Sequence, residues 1–338
     1  MIINFFLDNR VGGPHNYSKQ FKKKSNKKFL DITSGKSKFC KSYITNLRKY
    51  WKFFFIFEII INFFEIIFLF NKNKYKCFYV FSIFNLAPVI SGIILRKKIT
   101  WFIVEEPTLI TKIVFKILYA LANFETIVIA NYLAEKLQIK KYKTIYPYID
   151  TEFWKNKSLK THRGKFIKLL CVGNLNKTKN HLNLLKYLEE SKVAFELNIV
   201  GEALKTQKNY FNKIKNLKDK INNNTNNKIT FLGRQKKNKI RKLLNESDLY
   251  ILPSLSEGLS LSLIEAMSTS SLCLISNNSN NSKLILNKKN GFTFKLSNES
   301  FNKSLIEIIN LDTKKKRLIK KHARETILKL NLKNNFHE

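Results

Sequence analysis

Proline and glycine are scarce in this chain, with five and ten among 338 residues. That composition excludes collagen-like and low-complexity linker proteins. Cysteine is thin as well. Cys40, Cys77, Cys171 and Cys273 lie far apart, with no Cys-x-x-Cys and no Cys/His cluster. No metal site is therefore expected, and a reducing cytoplasmic setting fits better than a disulfide framework. The opening "MIINFFLDNRVGG" has no basic leader and no cleavage pattern, so no signal peptide is expected. No internal repeat with a solenoid period is present. Negative charge is the other shortage: 24 acidic residues stand against 62 basic ones, a formal charge of +38.

The excess lysines gather in short runs (Lys22–Lys24, Lys314–Lys316, Lys320–Lys321) and are otherwise scattered. They follow no single stripe. Lys, Asn, Ile and Phe are over-used together and share A/T-rich codons, so part of the charge is compositional and decorates a solvated surface. Its functional counterpart is attraction to an anionic surface. Membrane headgroups come before nucleic acid, because no RNA or DNA motif accompanies the charge.

What is present suffices for two domains. The length allows about two, and 44% hydrophobic residues can fill two cores. Two stretches raise the question of membrane spans. Residues 53–70 are apolar but contain Glu58, Asn62 and Glu65. Each central carboxylate would cost roughly 2–3 kcal/mol in lipid, so a buried or interfacial helix is expected. Residues 77–95, "CFYVFSIFNLAPVISGIIL", carry no charge. Their aromatic, β-branched start and the break at Asn85, Ala87 and Pro88 read as strand, turn and helix rather than one span.

The second half alternates short apolar runs with polar stretches of helical spacing. The runs are "FIKLLCVG" (166–173), "ELNIVG" (196–201), "KITFLG" (228–233), "DLYILPS" (248–254) and "SLCLIS" (271–276). This alternation predicts an α/β domain with a parallel sheet. Gly173, Gly201 and Gly233 end three of the strands, at the edge where doubly wound sheets bind ligands. The first half repeats the pattern less cleanly, through 2–7, 77–84, 100–105, 125–130 and 143–147. The polar, aperiodic stretch 151–165 is placed as a linker between a domain at 1–150 and one at 166–338. "INNNTNNK" (221–228) and "NNSNNSK" (277–283) read as exposed loops.

The informative stretch is "PSLSEGLSLSLIEAM". Glu257 and Glu265 stand with seven residues between them, after Pro253-Ser254 and before Ala266-Met267. "VGNLNKTKNH", "IVGEA" and "FLGR" precede them in order, and "NGFTF" follows. A lone Glu-x7-Glu carries nothing; this ordered set resembles the nucleotide-sugar-binding half of retaining glycosyltransferases of family four. The resemblance covers roughly residues 166–294 and is weaker over 1–150. It implies the GT-B architecture, two Rossmann-like domains facing a cleft, with donor on the second domain and acceptor on the first.

The resemblance also implies roles. Lys179 matches the family's phosphate-contacting lysine, and Lys177 shares its loop. Asn174 stands where the family usually has an arginine. Glu257 would accept hydrogen bonds from donor-sugar hydroxyls and Glu265 from the ribose hydroxyls. The amides of Gly258, Leu259, Ser260 and Leu261 would face sugar and phosphate, where helix-start N–H groups meet growing negative charge. Gly233 and Arg234 occupy the turn that contacts the base. In the first domain Gly12 and Gly13 match a glycine pair beside the cleft, His15 follows them, and Glu105 and Glu106 replace a histidine. Ser270, Leu272 and Lys283 are further departures from the family pattern.

No Asp-x-Asp occurs, so a metal-independent transfer is expected, with no cofactor beyond the donor. The implied activity is transfer of a hexose, with retention, from a nucleotide diphosphate-sugar to a glycan or lipid-linked acceptor in cell-envelope polysaccharide synthesis. It would take place in the cytoplasm, peripherally at an anionic inner membrane face. The rival functions are a non-catalytic binder of nucleotide sugar or glycan, and a basic nucleic-acid-binding protein. The former gains support from Asn174.

Overall fold

The computed structural model describes residues 2–6, 28–34, 42–44, 55–70, 75–156, 165–203, 207–278 and 280–332. Gly12, Gly13 and His15 lie outside the described residues. The chain divides into two compact units, with the boundary between Tyr148 and Ile149.

The first unit runs β1 (Ile2–Phe6), β2 (Phe29–Ser34), β3 (Ser42–Ile44), α1 (Phe55–Phe70), β4 (Cys77–Phe81), α2 (Leu86–Ile94), β5 (Lys98–Ile103), α3 (Leu109–Leu121), β6 (Glu125–Val128), α4 (Asn131–Leu137) and β7 (Lys143–Thr144). Its sheet is parallel, in the order β3-β2-β1-β4-β5-β6-β7. The uncharged stretch 77–95 is indeed a strand, a turn and a helix. No helix among the described residues is long and apolar enough to cross a membrane. Aromatic side chains fill the sheet: Phe81 stacks on Phe6 and Phe102, with ring centroids 5.1 and 4.4 Å away. Trp101 is buried, and its indole N–H donates to the Ser82 carbonyl at 2.9 Å.

The second unit runs β8 (Ile167–Val172), α5 (His181–Glu189), β9 (Phe195–Val200), α6 (Lys208–Asn224), β10 (Lys228–Phe231), α7 (Lys237–Glu246), β11 (Leu249–Leu252), α8 (Leu261–Ser268), β12 (Cys273–Ser276), β13 (Phe292–Phe294), α9 (Asn298–Asn310) and α10 (Thr313–Leu332). Its parallel sheet has the order β10-β9-β8-β11-β12-β13. β11 and β12 are buried throughout, which is why they appear as unbroken apolar runs rather than alternating ones. Leu184, Leu188, Ile214 and Phe301 from the flanking helices close the core over Leu169, Leu197, Ile199 and Leu274. Residues 149–156 belong to this unit. Arg241 donates to the Phe153 carbonyl at 2.7 Å, and Arg324 donates to those of Thr151 and Ser268 at 3.1 and 2.6 Å.

Two loop expectations need correction. Residues 221–224 are the last turn of α6, not loop. Asn222 reaches β10, accepting from the Ile229 amide at 2.7 Å and donating to its carbonyl at 3.0 Å. The side-chain amide makes a pairing that asparagine-rich composition alone would assign to water. In 277–283, Asn281 is fully buried and hydrogen-bonded. β2 and β3 were not anticipated: β2 offers a weak pattern and β3 has three residues.

Candidate functional site

The order of the second sheet fixes where a site can form. From β8 the chain first moves outward to β9 and β10, then returns to β11 on the other side of β8. The loops after β8 and β11 therefore diverge over adjacent strands, leaving the crevice where doubly wound sheets bind ligands. Lys179 lies in the first loop and Glu257 in the second. The two loops are tied directly, the Leu255 amide donating to the Thr178 carbonyl at 2.8 Å.

Lys179 ends a 3-10 turn, Lys177–Lys179, capped by Asn176, whose side-chain oxygen accepts from the Lys179 amide at 2.9 Å. Its aliphatic stem lies over Gly173. A β-carbon on that glycine would come within 3.2 Å of it. The Lys179 ammonium forms a short ion pair with Glu257 Oε1. Ser254 Oγ donates to the same oxygen at 2.7 Å, and the Ser254 carbonyl in turn accepts from the Ser276 hydroxyl. Both partners remain partly accessible, with side-chain exposures of 21% for Lys179 and 14% for Glu257. The cation is thus held at the carboxyl edge of the sheet and can still meet a ligand. Beside them Asn180 opens α5 in the left-handed conformation, φ 58°. His181 follows, buried, its ring nitrogens without a hydrogen-bond partner among the described residues. Burial and then the Lys179 charge lower its pKa to about 3, so the ring stays neutral.

The start of α8 is anchored across the sheet. Tyr250 OH donates to Ser262 Oγ at 2.8 Å, and Ser262 Oγ donates to the Val172 carbonyl at 3.0 Å. The Ser260 amide is already engaged, donating to Asn281 Oδ1 at 2.9 Å. This differs from the expectation that all four amides of 258–261 face a ligand. The backbone of Gly258, Leu259 and Leu261 retains that possibility, with Asn281 fixing the approach. Asn281 was missed in the sequence because it is remote in the chain and sits in a stretch that looks solvated.

Glu265 lies on α8, half-buried. Burial raises its carboxyl to about 7, opposed by a weaker pull from the Lys237 charge. The folded-state pKa lies above the unfolded one, so the folded chain binds more protons between about 4.5 and 7. Stability contributed by the neutral carboxyl is lost as pH rises through that window. Glu265→Gln should therefore flatten the pH dependence and, without ligand, be more stable than the parent at pH 8 by about 1–3 kcal/mol. Urea denaturation at pH 5.5 and 8 checks this; a variant whose pH profile parallels the parent's would contradict it.

The strand-ending glycines do different things. Gly201, φ 149°, presses on other backbone: a β-carbon there would lie 2.0 Å from the Gly173 carbonyl oxygen. Its role is close packing of two loops rather than approach of a ligand. Gly233, φ 62°, has open space around it, and its carbonyl accepts from the Gly201 amide at 2.9 Å. Arg234 beside it is exposed, as are Asn174 and Lys177. In the first unit Glu105 is half-buried after β5. Its neighbour Glu106 is engaged by α4, accepting from Tyr132 OH at 2.8 Å and pairing with Lys136. No group of three or more metal-binding side chains occurs among the described residues.

The family model described as "Glycosyl transferases group 1" matches residues 150–326. A curated Escherichia coli protein, UDP-Gal:alpha-D-GlcNAc-diphosphoundecaprenol alpha-1,3-galactosyltransferase, is 30% identical over 183 residues, which is 54% of this chain and 46% of that enzyme. The aligned region thus spans about half the length of that relative. A glycosyltransferase from Rickettsia africae superposes with a TM-score of 0.75 at 18% identity, covering 99% of this chain and 96% of that one. Anabaena HepE, crystallised with UDP and glucose, superposes with a TM-score of 0.80 at 15% identity, covering 98% and 97%. These likenesses establish the GT-B fold.

Proposed function

The chain belongs to the glycosyl transferases group 1 family, and from that premise we propose that it transfers a hexose from a nucleotide diphosphate-sugar to a hydroxyl of a glycan or lipid-linked acceptor, with retention. The observation that carries this is the Lys179–Glu257–Ser254 constellation at the switch point of the second sheet. As the bond from the anomeric carbon to the β-phosphate oxygen breaks, the electron pair leaves with the diphosphate. Lys179 and the amides before α8 stabilise that growing charge. The acceptor oxygen bonds to the same face of the sugar and passes its proton to the departing β-phosphate oxygen. Glu257 orients the sugar hydroxyls, Glu265 the ribose, and Gly233 and Arg234 border the base. The acceptor would use the first unit, through Glu105 and the Gly12–Gly13 region.

UDP-hexoses are the first donors to test, since one relative is named for UDP-galactose and a fold neighbour holds UDP and glucose. The diphosphoundecaprenol acceptor in the former relative's name supports a lipid-linked acceptor, and the proposal extends this to a cell-envelope role on the cytoplasmic side. With Lys179 as the fixed charge, no metal is required. Initial rates in EDTA should stay within about two-fold of those with magnesium, and abolition by EDTA would contradict the assignment.

A second reading is a binder that no longer turns over. The exposed Asn174, in place of the family's usual arginine, favours it. Calorimetry with UDP- and GDP-sugars, beside an assay for released nucleotide, separates the two. Binding with no release, in the presence of acceptor extracts, selects the non-catalytic form.

A further inference from the structure

α1 is built inside out. Its inward stripe is Glu58, Asn62, Ile66 and Phe70, all buried, at the four-residue spacing that aligns one face of a helix. The opposite face is apolar and open: Ile56 is 67% exposed, Phe64 64% and Phe68 86%. α3 behaves alike. Thr111 and Phe115 are buried, while Ile110 is 74% exposed, Ile117 54% and Leu121 77%. A soluble helix normally turns such side chains toward the core. Exposed apolar surface of this extent marks an interaction site.

The two faces share one side of the sheet. α1, α2, α3 and α4 connect β3 to β4, β4 to β5, β5 to β6 and β6 to β7, all stepping the same way along the strand order. Right-handed crossovers put all four helices in one layer. Within it Ser91 of α2 donates to the Phe63 carbonyl of α1 at 3.3 Å, and Tyr119 of α3 donates to the Lys141 carbonyl just past α4 at 3.3 Å.

Charge selects the occupant. Lys112 and Lys116 flank the open stripe of α3, and Arg96 and Lys98 follow α2. The chain's charge of +38 opposes pairing with a second copy and favours an anionic partner. We propose that the outer faces of α1 and α3 insert into the headgroup region of an anionic lipid bilayer, with these cations against the lipid phosphates. An apolar stripe bordered by Lys and Arg is the form of a helix lying in a membrane interface. The inward position of Glu58 keeps its carboxylate away from lipid.

Flotation of the full chain with vesicles of phosphatidylcholine containing about 30% phosphatidylglycerol tests this. No nucleotide sugar is needed, so failure here leaves the transferase assignment standing. The chain should float with these vesicles, more weakly with phosphatidylcholine alone and more weakly in high salt. The combined variant Phe64→Ser, Phe68→Ser, Ile110→Ser, Ile117→Ser changes only exposed positions. It should keep its melting curve and lose at least about ten-fold in vesicle binding. Absence of flotation by the parent, equal flotation of a folded variant, or a parent dimer that the variant dissolves without vesicle binding would each overturn the proposal. Should that variant unfold, Phe68→Ser with Leu121→Ser provides the same comparison.

Discussion

Lys179→Ala and Glu257→Ala should each lower transfer by about 10²–10³-fold, the cost of removing one preorganised stabilising group from a transfer site. The geometry makes the two losses interdependent. Each residue neutralises the other in a partly buried crevice, so either change also removes the other's counter-charge there. The double variant should be little worse than the worse single variant, because residues acting as a unit are non-additive. Lys179→Ala should act on the departing diphosphate and reduce nucleotide affinity as well as rate. Glu257→Ala should spare free UDP binding, because the partner proposed for it is the sugar. Initial rates and UDP calorimetry on the same preparations separate these effects. Activity near the parent's in both single variants would remove the assignment.

The largest expected stability effect lies at Gly201. Alanine there would place its β-carbon 2.0 Å from the Gly173 carbonyl oxygen, at a φ of 149° that side chains rarely adopt. The obstacle is backbone on both sides, so no side chain can rotate away. A loss of about 3–5 kcal/mol is expected, from strain and overpacking together, read as a fall in the urea midpoint of the second unit's transition. The same shift would push on Gly173, over which the Lys179 stem lies. Residual folded protein should therefore also lose activity. A variant with an unchanged midpoint would show that the loops part easily.

The legible parts of this chain are those where local pattern and topology agree. β11 and β12 were visible because strands buried on both faces must be continuously apolar, and β8, β9 and β10, more mixed in sequence, were marked by the glycines that end them, Gly173, Gly201 and Gly233. The conjunction of Lys179 and Glu257 was suggested by family resemblance; its physical cause is the strand order, which puts their loops side by side. What remained hidden depends on distant pairing. Asn281 caps the Ser260 amide from 21 residues away, and nothing in "NNSNNSK" distinguishes it from solvated asparagines. Gly201 looked like a place for a ligand because the sequence cannot tell whose backbone approaches. The exposure of α1 was half legible. Glu58 and Asn62 argued against a membrane span, but only the fold reveals that they turn inward and leave Phe57, Phe64 and Phe68 outside.

Calorimetry of UDP against the parent and Lys179→Ala tests the central claim most directly, namely that the crevice between β8 and β11 is a nucleotide diphosphate site with Lys179 on the phosphates. The account predicts saturable one-to-one binding by the parent and at least about ten-fold weaker binding by a folded Lys179→Ala. Equal affinity in the two proteins, or no binding of UDP or GDP by the parent, would contradict it.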